Sequence, residues 1–149
     1  MSKNNKNSTP DSLNHGHEAW LAKATSDLKM ARKGIKDDDE TLDGAAYHTH
    51  QCMEKALKGY LVCKGASIKR THDLEWLLEL CMVFDINFSK LMTIAENLNP
   101  YALYSRYPDD RFSIDRTEVK EAIKNAVIVL SFVKKRIKVA LHPNMKLFE

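Results

Sequence analysis

The residues best suited to chemistry crowd into one stretch, Leu98 to Arg111, LNPYALYSRYPDDR. It holds three tyrosines, two arginines, two aspartates and two prolines. The planar guanidinium of Arg106 matches a phosphate or a carboxylate equally well. Tyr101, Tyr104 and Tyr107 recur every third residue, so a helical backbone would set them in a slanted aromatic row. Pro108 pushes Tyr107 toward extended geometry, which predicts a helix end near Arg106. Such a turn aims Arg106 back along its neighbours. There it can pair with a buried acid or anchor a phosphate or nucleotide, and both readings stand.

Other candidates lie upstream. Glu54 falls between Tyr47 and Leu61 on a helical wheel, at the edge of an apolar face, where a carboxylate needs a cation or hydrogen bonds. We expect it to be buried against Arg106, His72 or a tyrosine hydroxyl. His72 precedes a helix and reads either as a turn residue or as a proton carrier near neutral pH. In His48-Thr49-His50 the imidazoles point about 200° apart and cannot share a metal. His50 and Glu54, four apart, can, but two ligands lack a third, so no metal is expected. The candidate catalytic residues are therefore Arg106, His72 and His50. The candidate ligand-binding set is Arg106, Tyr107, Asp109, Tyr104, Glu54 and Lys58. No phosphate-cradling glycine loop, dinucleotide fingerprint or nucleophile elbow occurs, and no cofactor is expected. The acidic run Asp37-Asp38-Asp39-Glu40 reads as a solvated loop because it lacks the glycine turn of a calcium loop.

These residues sit in a chain of 149 with 23 basic and 20 acidic side chains and a net charge of +3, too weak a balance to imply nucleic-acid binding alone. A single domain of this length can bury a core without staples. Three scattered cysteines, Cys52, Cys63 and Cys81, read as reduced thiols of a cytoplasmic protein. The segment MSKNNKNSTP has no apolar core of a secretory signal, and no apolar run approaches the roughly 20 residues of a membrane span.

Helical periodicity dominates from His17 onward. Trp20, Ala24, Leu28, Ala31 and Ile35 form one stripe over residues 17–35. A second helix over 42–64 carries Ala46, Met53, Leu57, Tyr60 and Leu61 on its large apolar face. Beside them runs a strip of small residues, Ala45, Cys52, Ala56, Gly59 and Cys63, with Lys55 and Lys58 opposite. Gly65 is placed to stop it. Thr71 or Asp73 can cap a third helix through Phe84, and a fourth begins near Asn87, with a kink or restart at Pro100. Asp115 and Glu118 make a capping-box start for the last helix, whose core stripe runs from Val119 to Ile137. Ile128, Phe132 and Val139 fall on its other side and predict an interface. The sequence thus predicts an all-α fold: an antiparallel up-and-down four-helix bundle with a short additional helix over 17–140. A polar tail, 1–16, precedes it and a short one, 141–149, follows.

The order of AAYHTHQCMEKALKGYLVCKG, THDLEWLLEL, LNPYALYSRYPDD and EAIKNAVIVLSFVKKRI resembles the HEPN family over about Glu18 to Ile137. The resemblance implies a helical bundle that dimerises and often pairs with a small nucleotidyltransferase, in many cases as a toxin–antitoxin couple. Other members bind nucleotides or cut RNA. The nuclease members carry an Arg followed, after about four to six residues, by a His, which supply a cation for the phosphate and an imidazole for the 2′-hydroxyl proton. From Arg106 the corresponding positions are Arg111, Phe112 and Ser113; from Arg111 they are Arg116, Thr117 and Glu118. None is histidine. The expectation is a binding module with a homodimer, a nucleotidyltransferase partner and a nucleotide or RNA ligand, and no membrane. The alternative is a metal-independent RNase toxin using Arg106 with His72 or His50.

Overall fold

A computed structural model describes residues 16–36, 39–68, 70–104 and 113–144. Five α-helices run through them: α1 (His17–Lys36), α2 (Leu42–Cys63), α3 (Leu74–Phe84), α4 (Met92–Leu98) and α5 (Arg116–Leu141). Short 3-10 segments at Asp39–Thr41, Ile86–Leu91 and Asn99–Leu103 link them, and the described residues contain no strand.

The ends of these helices follow the local chemistry. The Asp73 carboxylate accepts from the backbone N–H groups of Glu75 and Trp76, and Asp115 accepts from Glu118, satisfying donors that the first helical turn leaves open. Beyond α2, Gly65 takes a φ of 72°, a left-handed conformation that only glycine adopts without strain. Pro100 stands at the start of the segment Asn99–Leu103, so the chain restarts there as a 3-10 turn rather than continuing α4.

Helix α2 is the hub and touches α1, α3, α4 and α5. Its strip of small residues is where α1 lies down. A Cβ on Gly59 would come within 3.2 Å of the Trp20 Cβ, and one on Gly34 within 3.0 Å of the Ala45 Cβ. The start of α1 therefore meets the end of α2 and the reverse, which makes the pair antiparallel. Direction also alternates between α3 and α4, where Asn99 reaches back to Leu74, and between α4 and α5, where Leu98 stands beside Glu118 and Ala122. From α2 to α3 the linking residues carry the chain back: His72 lies beside His50 and Glu54, and Cys81 donates to the Leu57 carbonyl, so these two helices advance in the same sense.

The main core surrounds α2, with Met53, Leu57, Tyr60, Leu74, Leu77, Leu78, Phe88 and Leu98 fully enclosed or nearly so. A smaller cluster of Leu42, Ala45, Ala46 and Val119 closes the other end, with Ile35, Tyr101, Tyr104, Ile114 and Ile123 packed on it. Phe132 is less open than the sequence implies. Its ring meets Phe88 edge-on at 5.1 Å and packs on the core, leaving Ile128 exposed beside a half-buried Val139. Phe88, in the 3-10 segment Ile86–Leu91, meets α5 at Phe132, on a side that a wheel with one buried face leaves bare.

Candidate functional site

On α2 the side chain of Glu54 is buried, with a relative exposure of 4% for the residue. A bare carboxylate there would be costly, and two hydrogen-bond donors meet it. His72 Nδ1 donates to Oε1 at 2.7 Å, and Lys58 Nζ donates to Oε2 at 3.1 Å. The sequence expectation for Glu54 named His72 among its partners and missed Lys58. Lys58 is not on an open side of the helix: it is buried, spaced i,i+4 from Glu54, and its ammonium also sits 5.9 Å from the Trp20 ring centroid. Because α2 is surrounded, its wheel has no solvent face for Lys58 to occupy.

His72 differs from its partners in reaching solvent, with 57% of its side chain exposed. Its position is set twice. Its ring is held by Glu54, and its backbone carbonyl accepts from His50 Nε2 at 2.8 Å. His50 is wholly buried, and its Nδ1 accepts from Gln51 Nε2 at 3.2 Å. Both of its ring nitrogens are thus engaged by groups other than Glu54. Among the described residues no group of three or more His, Cys, Asp or Glu could hold a metal.

The tyrosine-rich stretch joins this site through Asn99. Its Oδ1 accepts from the Leu74 backbone N–H at 2.9 Å, and its Nδ2 donates to Asp73 Oδ1 at 3.1 Å and to Glu75 at 3.3 Å. THDL and LNPY are therefore stitched together on one side of α2. From there the chain runs toward the N-terminal half of α2. Tyr101 and Tyr104 meet edge-on at 4.9 Å and pack on the Leu42–Val119 cluster. Burial pushes the Tyr101 phenol up to about 12, with Glu118 adding to the effect, and raises Tyr104 in the same way, so both stay neutral near pH 7. Tyr104 lies over residues two turns or more up α2 from Glu54, roughly 12 Å along the axis at 1.5 Å per residue. Of the candidate set, then, Glu54, Lys58 and His72 come together and Tyr104 stands apart. Arg106, Tyr107 and Asp109 lie outside the described residues.

A second polar cluster went unread in the sequence. Asp27 of α1, 7% exposed, accepts from His48 Nδ1 at 2.8 Å and from Lys55 Nζ at 2.6 Å. Lys55 thus faces α1 rather than open solvent. The signal was present: Asp27 stands three residues after Ala24 and four before Ala31, on the buried stripe itself. Two of the three cysteines, Cys52 and Cys81, are closed to water. Burial raises Cys52 to about 12, with Asp27 adding to it, and pushes Cys81 higher still. No helix among the described residues is long and apolar enough to cross a membrane.

A family model described as HEPN domain matches residues 17–137. Two solved structures are similar in fold. The protein TT1696 from Thermus thermophilus is 27% identical at a TM-score of 0.69, covering 80% of this chain and 96% of its own. ST0689, an archaeal HEPN homologue, is 28% identical at a TM-score of 0.66, covering 83% of this chain and 98% of its own. No curated protein matches the chain.

Proposed function

The chain belongs to the HEPN domain family, and from that premise we propose that it is a non-catalytic, homodimeric cytoplasmic binding module. Its partner in this reading is a small nucleotidyltransferase, in a toxin–antitoxin type of couple, and its ligand is a nucleotide. The ligand-binding residues are Arg106, Tyr107, Asp109, Tyr104, Glu54 and Lys58, with Arg106 as the phosphate anchor. The observation that carries it is the seat of His72. A half-exposed imidazole rests on a buried, doubly paired carboxylate, beside the junction of THDL with LNPY. A purely structural acid needs no partner that opens to solvent. The absence of histidine at the nuclease spacing from Arg106 and Arg111 supports binding over cleavage.

The alternative, an RNase, draws on the same imidazole: an exposed histidine backed by a carboxylate is suited to moving a proton. His50, buried and bonded at both nitrogens, is not placed for that role, so the alternative rests on His72 with Arg106.

One set of measurements separates the two. Clean wild-type protein is incubated with RNA in chelator, and its melting temperature is followed with added nucleotides. No cleavage, with a nucleotide-induced rise that Arg106→Ala loses, is the expected result. Metal-independent cleavage lost in both Arg106→Ala and His72→Ala overturns the binding module in favour of the enzyme. Light scattering tests the dimer; a monomer mass at micromolar concentration removes it. Co-expression with a nucleotidyltransferase from the neighbouring reading frame tests the partner, and separate elution rejects it.

A further inference from the structure

Far from Glu54, between the last turns of α1 and the first turns of α5, lies an open cavity of about 470 Å³ lined by Arg32, Ile35, Lys36, Arg116, Lys120 and Ile123. Four of the six are cations, and none is an acid. The cations sit in two i,i+4 pairs, Arg32 with Lys36 and Arg116 with Lys120, so each pair stacks like charges on one helix face. On α5 the arrangement also runs against the helix. Its N-terminus carries the positive end of the backbone dipole, where acidic residues are favoured and basic ones are not. The acids of those turns, Glu118 and Glu121, face a different depression with Asn97 and Tyr101. Arg116 is fixed in place by donating Nη1 to the Ile35 carbonyl. Arg32, Lys36 and Lys120 make no ion pair or side-chain hydrogen bond with another described residue.

Three cations left without a counter-charge among the described residues mark a place shaped for something outside the fold. We propose that this groove is a binding site for a phosphorylated small molecule. Its phosphate groups lie among Arg32, Lys36 and Lys120, beside the N-terminal dipole of α5, and its apolar portion rests on Ile35 and Ile123. An arginine fork and two ammonium groups suit phosphate oxygens. The volume lies within the range of pockets that hold small ligands, about 300–1,000 Å³. A net charge of only +3 and a set of four cations among the described residues favour a compact ligand over a nucleic-acid backbone, which is met by extended basic stripes. The site is distinct from the Glu54 cluster. Trp20, at the Lys58 end of α1, is separated from Arg32–Lys36 by roughly 18–24 Å of helix.

Isothermal titration with inorganic pyrophosphate, a nucleoside triphosphate and a short single-stranded RNA tests it. Wild type is compared with Arg32→Gln/Lys120→Gln, two exposed positions at which circular dichroism checks the fold. Wild type should bind the nucleoside triphosphate more tightly than pyrophosphate, because only the former uses the apolar floor. The double variant should bind pyrophosphate at least tenfold more weakly, and in an Arg106→Ala background, which removes the anchor of the nucleotide site proposed above, it should bind the nucleoside triphosphate at least tenfold more weakly as well. Equal affinity in wild type and double variant overturns the proposal. So does no phosphate binding up to millimolar concentration, or binding of the RNA alone.

Discussion

Two clusters on α2 use the same three groups and put them to different ends. In each, one carboxylate lies between a lysine and an imidazole, and in each the acid is nearly closed to water. Asp27 binds His48 and Lys55, both from α2, so that cluster crosses a single seam between two long helices. Glu54 binds Lys58 from its own helix and His72 from the loop before α3. Their depth differs in a telling way. Both partners of Asp27 are about a quarter exposed, whereas Lys58 is buried and His72 is more than half exposed. The first cluster is an even clasp at the edge of a seam. The second is graded, from a closed ammonium through a closed carboxylate to an open imidazole. A clasp needs no such gradient, and under the proposed function the outer end of the second cluster is where a ligand would be met.

The difference is tested first by deleting the acids. Glu54→Ala leaves the Lys58 ammonium enclosed without its counter-charge and frees the loop at His72. Breaking a buried pair in this way costs about 3–5 kcal/mol, which urea denaturation should show as a fall in midpoint at unchanged slope. Asp27→Ala leaves His48 and Lys55 without their acceptor, but both can turn toward water, so the loss should be nearer 1–3 kcal/mol, roughly the cost of one unsatisfied buried group. The reverse ranking would mean that the seam, not the loop junction, holds the more demanding charge.

How much of this was legible follows the same division. Stripes, caps and stops depend on nearest neighbours along the chain, and Asp73, Asp115 and Gly65 do what their positions imply. Glu54 was readable because a charge at the edge of an apolar wheel demands a partner, and His72 answered. Lys58, Lys55 and Phe132 were misplaced for one shared reason. A wheel assumes one buried face, while α2 is packed on several sides and α5 also meets Phe88 through Phe132. Asp27 sat on a readable stripe, but nothing local says which helix supplies its cations. Asn99 is the plainest limit. Its short side chain joins residues 25 positions apart, and only the folded chain brings the start of α3 to that amide.

Asn99 offers a smaller, sharper cut. Asn99→Ala removes the acceptor for Leu74 N–H and the donor to Asp73 and Glu75, leaving Asp73 to cap α3 alone. About 1 kcal/mol of stability should go, the usual size of a lost cap or hydrogen bond. Hydrogen exchange should rise at the first turn of α3 and remain unchanged at the α1–α2 seam. Equal acceleration at both would show that the THDL–LNPY junction and the seam are one cooperative unit, and the two clusters could not then be assigned separate tasks.

The smallest stability effect belongs to His72, and it divides the two readings most cleanly. His72→Gln removes an imidazole whose side chain is 57% exposed while keeping the backbone carbonyl that His50 holds. An exposed ion pair contributes little, about 0–1 kcal/mol, and glutamine retains a donor that can reach Glu54. The midpoint should therefore move by no more than about 0.5 kcal/mol. The same change at His48, 28% exposed and wedged in the seam, should cost more, on the order of 1 kcal/mol. If His72→Gln costs as much as His48→Gln or more, the open imidazole is a structural tie like its counterpart, and the graded cluster has no outer end reserved for a ligand. If His72→Gln is nearly silent in stability yet weakens the nucleotide-induced rise in melting temperature, the imidazole serves the ligand, and Glu54 with Lys58 is the base that holds it in place.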